Sequence, residues 1–445
     1  MTAWVRRSSR TGTPAAGGIV GNPKAALCIA DSISEAPPGT PLRQSVALSR
    51  KSPIAAPALV LTAGFLVLLV AGGSRFAVGL TLRPMVDDLG WERSDIGLAV
   101  AVFQVVSAGG TFIAGRLADR TGLRLVLGGG LVVCGIGIGL MSFMVAPWQA
   151  LLFYGVIYAL GNGAASMSPV GVMVTRAFPT RAGIANAVAM SGMSVGQLVT
   201  IGVLTAALMV MSWRSIYLWL GVAHVVLVPL LLLMIPKTRR IEQQAARPVS
   251  GETIGTAAKG RQFWLLVVIY AICGFDDFFV TTHVVAFSQD RGVDAFLAGN
   301  MLAVMGLTGL IGVVAAGAFS DRVGPVWPTA LSFAARIVVF GLVMVDQSPL
   351  SIAIFALVFG ATFLVTAPLT IVFVAESFGM RHLGAFTGLI TMVHQIFGGL
   401  GAYLGAALFD RTQSYDAAFV VMLAVTVIAL VLTLMLKRPQ ARAAV

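Results

Sequence analysis

A chain of 445 residues that is 58% hydrophobic and only 11% charged, with a mean hydropathy of +0.91, carries more apolar surface than a soluble fold of that size can bury, so a bilayer is its expected solvent. The formal charge of +12, from 30 Lys+Arg against 18 Asp+Glu, is spread through short loops between apolar runs. That pattern speaks for membrane orientation and against nucleic acid as a partner. Cys28, Cys134 and Cys273 form an odd set without metal-like spacing, so neither a disulfide framework nor a metal site is implied.

Residues 1–54 are rich in Ser, Pro, Gly, Ala and Arg without apolar periodicity and read as a disordered cytoplasmic tail. Arg6-Arg7 is not followed by the apolar stretch that an export signal needs. From Ala55 on, runs of about twenty apolar residues alternate with short charged loops, the length a helix needs to cross ~30 Å of hydrocarbon. The expected spans, 1 to 12 in order, are 56–82, 95–115, 124–146, 148–176, 182–210, 215–235, 263–287, 295–318, 326–345, 349–374, 383–408 and 416–436. The uncharged run from Leu125 to Thr175 is too long for one span, and Pro147-Trp148 divides it. The expected fold class is an all-α membrane protein with 12 transmembrane helices in two pseudo-symmetric six-helix bundles. The first bundle covers 55–236, a basic linker 237–262, the second bundle 263–437 and a cytoplasmic tail 438–445. If the N-terminal tail is inside, basic residues such as Arg116, Arg120, Arg176, Lys237 and Lys437 gather on the inner side. Acidic ones such as Asp87, Asp88, Glu92 and Asp290 gather outside. Both termini are therefore expected in the cytoplasm.

Ionisable groups at membrane depth are costly, so each needs a partner or a purpose. Arg75, in the outer half of span 1, could grip a carboxylate through two parallel hydrogen bonds, or snorkel to a loop acid such as Asp87. After span 2, Gly115-Arg116-Leu117-Ala118-Asp119-Arg120-Thr121-Gly122 reads as a short charged hinge. It recurs as Gly317-Ala318-Phe319-Ser320-Asp321-Arg322-Val323-Gly324, with Gly, Asp, Arg and Gly in register. Span 4 carries Tyr154, Tyr158 and Asn162 on one helical face, and Gln104 and Gln197 add polar candidates in spans 2 and 5. Asp276 and Asp277 lie ~20 Å into span 7. Adjacent residues are rotated by ~100°, so one is expected to face a cavity and titrate while the other pairs within its own half. A desolvated carboxylate favours its protonated form, which makes both proton-coupling candidates. Arg336, at similar depth in span 9, is the natural partner for an ion pair. His283, seven residues after Asp276, and His394 with Gln395 in span 11 are candidates for substrate binding or proton relay, the alternative being imidazoles bonded to neighbouring helices. The Gly-x-Gly patterns follow no strand and precede no P-loop lysine, so they read as helix-packing surfaces.

Twelve spans in two halves with Gly-x-x-x-Asp-Arg-x-Gly after spans 2 and 8 resemble the major facilitator superfamily, over about 54–438. Within it, Ser74–Trp91, Ser191–Gln197 and Val393–Gly399 look like the monocarboxylate and oxalate–formate branch. The resemblance implies secondary transport by halves rocking around a central site, with spans 1, 4, 7 and 10 lining it and spans 3, 6, 9 and 12 peripheral. A basic residue at the outer end of span 1 is common in that branch, and Arg83 occupies its place. The branch's Asp/Arg pair in span 8 has no counterpart between Ala295 and Ser320, and the helix-4 and helix-5 motifs of drug–proton antiporters are missing too. By the same resemblance the repeat gates the cycle. Asp119 is expected near the start of span 11 and Asp321 near that of span 5, where a helix N-terminus attracts negative charge.

The expected function is secondary active transport of a small organic anion, a mono- or dicarboxylate, coupled to protons. Arg75, Arg83, Tyr158, Asn162, Gln197, Asp277, His283, His394 and Gln395 would be its binding residues. No cofactor, metal or enzymatic machinery is expected; the partners are the small-molecule substrate, a proton and membrane lipid, in a bacterial inner membrane. The alternatives are efflux of drugs or amphipathic metabolites and a non-transporting receptor on a transporter scaffold.

Overall fold

The computed structural model describes residues 57–178, 182–235, 254–378 and 383–436. The side chains at 116, 119, 120, 182–184, 367, 375 and 383–385 are excepted. The N-terminal tail, most of the basic linker and the C-terminal tail expected from the sequence lie outside the described residues. No strand occurs among them. Twelve helices are long and apolar enough to cross a membrane. They are α1 Pro57–Leu89, α3 Leu123–Phe143, α4 Pro147–Ala177, α6 Trp213–Met234, α7 Arg261–Asp290, α8 Ala295–Val323, α9 Val326–Val345, α10 Pro349–Phe378 and α12 Asp416–Leu434, with α2 Arg93–Thr121, α5 Ala182–Leu208 and α11 Leu383–Thr412. Large apolar side chains such as Leu125, Leu233, Val314 and Val338 project from the bundle, which suits a lipid-facing surface.

The face where α1 begins and α12 ends is termed terminal, the other distal. Even-numbered helices start at the distal face, and several are capped there by the polar residues that end the apolar runs. Asp294 Oδ1 accepts from the backbone of Phe296 and Leu297 at 2.9 and 3.2 Å, and Ser348 Oγ from Ser351 at 3.3 Å. Such caps satisfy backbone donors that a helix leaves free at its start.

Several helix ends differ from the sequence expectation. Span 1 was expected to stop at 82, but the helix continues to Leu89. Arg83, Asp87 and Asp88 end the apolar run without ending the helix, because their charged ends reach solvent. The stretch 115–122, read as a hinge loop, is helical through Thr121, and its repeat through Val323. The turns come at Gly122 (φ 94°) and Gly324 (φ 82°), the left-handed region open to glycine at no steric cost. Gly in the second half of the motif is thus a helix stop.

Within the halves, α1 packs on α5, α3 on α6 and α4, α7 on α11, α8 on α10 and α9 on α12. The halves meet along α2–α11, α5–α8 and α1–α7. Glycine permits the closest approaches. A Cβ on Gly192 would lie 2.5 Å from the Phe65 carbonyl, and one on Gly399 2.8 Å from Ala101 Cα.

Candidate functional site

Helix α1 is two helices, Pro57–Ser74 and Ala77–Leu89, separated at Arg75-Phe76. A break in a buried helix frees backbone carbonyls that must find donors. Helix α4 supplies them. Tyr158 Oη and Asn162 Nδ2 donate to the Ala71 carbonyl at 3.4 and 3.2 Å, and Tyr154 Oη to the Arg75 carbonyl at 3.2 Å. The polar face expected in span 4 is therefore turned to the break in α1. Phe103, Tyr154 and Tyr158 stack with centroids 4.8–5.5 Å apart and stiffen this support.

The break places the Arg75 side chain in a small cavity between the halves, about 20 Å³, lined also by Gln104, Tyr154, Phe278, Thr281 and Thr282. The guanidinium lies over the rings of Phe278 and Phe76, at 5.0 and 5.5 Å. Among the described residues no carboxylate lies within ion-pair distance of it. The buried Gln104 Nε2 likewise lacks a partner there. The Gln104 amide nitrogen thus has no hydrogen-bond partner, and the Arg75 guanidinium no carboxylate, among the described residues.

Across Phe278 the second half holds a buried charge network. Arg336 Nη2 is 2.8 Å from Asp277 Oδ1 and its Nη1 4.0 Å from Asp276 Oδ2, while Thr362 accepts from the guanidinium at Oγ1 and at its carbonyl, 3.0 and 3.1 Å. Both adjacent carboxylates therefore flank one guanidinium, and neither faces a cavity alone as the helical rotation had suggested. A guanidinium is wide enough to reach both. Asp277 Oδ2 is also 3.2 Å from His394 Nε2 and 3.5 Å from the Cys273 thiol. Thr426 Oγ1 lies 2.8 Å from Asp276 Oδ2 and 2.6 Å from the Met422 carbonyl, with one hydrogen for both. A neutral Asp276 carboxyl would satisfy the two contacts. Cys273, Asp277 and His394 present ligand atoms within 4.8 Å of one another, yet Arg336 already supplies Asp277 with its cation, an arrangement poorly suited to a metal ion.

The remaining candidates separate in space. His283 uses both ring nitrogens, on Tyr415 Oη at 2.9 Å and the Ala402 carbonyl at 2.8 Å, leaving none for a ligand in this conformation. Gln197 Nε2 donates to the Leu302 carbonyl at 2.9 Å, across the two halves. Gln395 Oε1 is buried without a partner among the described residues. Arg83 is at the distal end, 3.6 Å from Asp87 and 3.9 Å from Asp290. Asp321 and Arg322 are exposed, and a Cβ on Gly115 or Gly317 would meet nothing within 4 Å. The side chains of Asp119 and Arg120 lie outside the described residues.

Sequence reading missed the distal clasp. Arg93, at the start of α2, binds Asp290 through both nitrogens at 2.6 and 2.8 Å and Tyr415 Oη at 2.8 Å. It also stacks 3.7 Å over Phe409. Asp410 accepts from the backbone of Arg93 and Ser94 at 3.0 and 2.7 Å, capping α2 from the other half. The only signal in the chain was an arginine before an apolar run, shared by any membrane loop.

Comparison with known proteins fits this architecture. The chain matches the family model "Major Facilitator Superfamily" over residues 64–396 and 266–445. It is 26% identical over 371 residues to the uncharacterized MFS-type transporter YcxA of Bacillus subtilis, covering 76% of this chain and 87% of that one. It is also 26% identical over 338 residues to monocarboxylate transporter 13 of Bos taurus, with 74% and 76% covered. A crystal structure of the nucleoside transporter NupG, in a point-mutant form, superposes with a TM-score of 0.73 at 14% identity, covering 86% of this chain and 100% of that one; at that identity the likeness concerns the fold alone. Two six-helix halves clasped across one face around buried polar groups, and a family match over most of the chain, give one answer: this is an integral, multi-pass membrane protein, a transporter and not an enzyme, belonging to the major facilitator superfamily.

Proposed function

We propose that the protein carries a small organic anion, a mono- or dicarboxylate, together with a proton by alternating access, and that Arg75 grips the carboxylate. The observation behind this reading is the unpaired state of Arg75 among the described residues. Arg93 and Arg336, the buried arginines among the described residues, each hold an aspartate, whereas the half-buried Arg75 shares its cavity with an unpartnered amide of Gln104. A guanidinium beside neutral donors suits a carboxylate that brings its own charge. The name of monocarboxylate transporter 13 supports the substrate class. The cavity is small enough to hold about one water, so anion entry goes with movement of the halves. The basic residues at the terminal face support a cytoplasmic position for it, and in that orientation the distal clasp closes the outer side. A proton taken with a monoanion makes its uptake electroneutral against a negative-inside potential, and Asp276, Asp277 and His394 are the titratable groups at depth to carry it.

Uptake of labelled carboxylates into proteoliposomes tests the reading. An inward-directed proton gradient should stimulate saturable uptake, and Arg75→Gln should weaken it by about a hundredfold, as expected for a lost charge-assisted pair. Carboxylate uptake indifferent to Arg75→Gln would defeat the assignment of the site. Export of an amphipathic compound is the second reading, favoured by a lipid-facing apolar cleft of about 290 Å³ between α2 and α11, lined by Leu98, Val105, Phe397 and Leu400. Dye efflux without carboxylate flux would select it.

A further inference from the structure

We propose that the coupling proton resides on the His394–Asp277 pair and that Phe278 links its state to the anion held by Arg75; this rests on the anion-and-proton reading above. Exposure separates the members of the buried network. The side chains of Arg336, Asp276 and Asp277 are 0–2% exposed, whereas that of His394 is 20% exposed. His394 is thus the least enclosed member of the network and the one assigned to receive the proton. Asp277 divides its two oxygens, Oδ1 to Arg336 and Oδ2 to His394, so it fixes the imidazole with its Nε2–H toward the carboxylate. The other ring nitrogen then takes up the proton, one N–H bond forming, and gives it back when the opposite side opens.

Charges around His394 set the consequence. From α7 it faces Asp277, the Cys273 thiol and, one residue back, Asp276; from α9, Arg336; from α1, Arg75 beyond Phe278. Helix α2 has no charged residue between Asp95 and Arg116, α10 none before Glu376, and α12 none between Asp416 and Leu434. With Asp276 neutral, Arg336 and Asp277 cancel, and protonation adds a net positive charge at His394.

Phe278 stands between that charge and the anion site. Its ring centroid is 5.0 Å from the Arg75 guanidinium carbon and 6.0 Å from the His394 ring, which meets it edge-on at 74°. The ring is seated against Gly398, where a Cβ would collide with it, and the His394 carbonyl is pressed on Gly274. Arg75 and a protonated His394 therefore place two cations against one ring, and an anion on Arg75 relieves the repulsion. Proton and anion consequently bind with mutual preference, of equal size in either order. At this separation the preference amounts to about tenfold in affinity. Phe278 acts here as a positioning residue.

The test uses the full chain in proteoliposomes with labelled formate, lactate, benzoate and oxalate as probes, measuring gradient-driven uptake relative to counterflow, and apparent Kd as a function of pH. The wild-type Kd should weaken about tenfold as pH rises and the bound proton is lost. His394→Gln should bring the driven-to-counterflow ratio down to its gradient-free value and flatten the Kd profile. Phe278→Leu leaves both charges in place but unseats them, and should reduce the pH dependence of Kd without abolishing it. His394→Gln is the primary variant because its site is partly exposed; Asp277→Asn, which also breaks the Arg336 pair, is the second. Gradient stimulation that survives His394→Gln overturns the proton site, and a Kd profile unchanged by Phe278→Leu overturns the link. A wild type that moves none of the probes overturns the anion reading itself, a different result.

Discussion

At Arg336 a cation stands deep inside the second half. The residue is fully buried, and its guanidinium is held by Asp277 and Thr362 and stacked 4.6 Å from Phe359. A buried pair is weak evidence of net stabilisation, but removing one partner strands the other charge, at about 3–5 kcal/mol. Arg336→Met should therefore lower the thermal transition in detergent markedly, and Arg336→Met combined with Asp277→Asn should recover a large part of the loss. Equal transitions for single and double variants would mean that the pair does not carry the cost. The pairing was legible in the chain because Arg336 and Asp276–Asp277 stand at matching depths of their spans. Thr362, Thr426 and Cys273 were not, since small polar residues occur throughout membrane helices and only packing selects which ones meet a charge. The unpaired state of Arg75 was equally invisible, because lacking a partner is a property of three dimensions.

At the scale of elements, α1 shows how a sequence pattern can be right in period and incomplete in meaning. Tyr154, Tyr158 and Asn162 do share one face of α4, yet that face serves the backbone of a neighbour. The break at Arg75-Phe76 follows Gly72-Gly73, where glycine is also needed for contact: a Cβ on Gly73 would lie 2.5 Å from the Gly196 carbonyl. Support from α4 and close contact with α5 together hold the Arg75 side chain in the cavity. Asn162→Ala with Tyr158→Phe should leave the Ala71 carbonyl unsatisfied, at about 1–3 kcal/mol, and weaken anion binding although neither residue touches the anion. Binding that is unaffected while stability falls would show that the break needs no pinning to present Arg75. The repeat itself was legible, but its role was not: it was read as a hinge from Gly115 and Gly317, whereas the helices run on and stop at Gly122 and Gly324. The break in α1 was not legible, because glycine pairs recur in the chain, as at Gly109-Gly110, without breaking the helix.

For the whole molecule, the question is what decides which face is closed. Distally, Arg93 is 7% exposed on its side chain and reaches from the first half into Asp290, Tyr415 and Phe409 of the second, while Asp410 caps α2 in return. These bonds cannot persist if the distal ends separate, so they favour the conformation closed there. Because the clasp is buried, salt should weaken it little. The repeated Asp119 and Asp321 are proposed to act in the opposite sense, each stabilising the start of a helix in the other half when the terminal face closes. The exposure of Asp321 in a distally closed molecule accords with that. Two sets of contacts, each available in one state only, set the balance by their difference. Spin labels placed at the exposed positions Met211 and Arg411, one in each half on the distal side, report it as a distance distribution. Arg93→Ala should shift population toward the longer distance by about ten- to a hundredfold in the open-to-closed ratio, for a loss of about 1–3 kcal/mol. Asp119→Asn should move it the other way, toward the distally closed state. The two together should fall between, since the substitutions sit at opposite faces and share no partner. If Arg93→Ala leaves the distribution unchanged, the clasp only packs the distal face. If Asp119→Asn shifts it in the same direction as Arg93→Ala, the proposed opposition of the two faces is wrong, and the repeat serves only to end its helices.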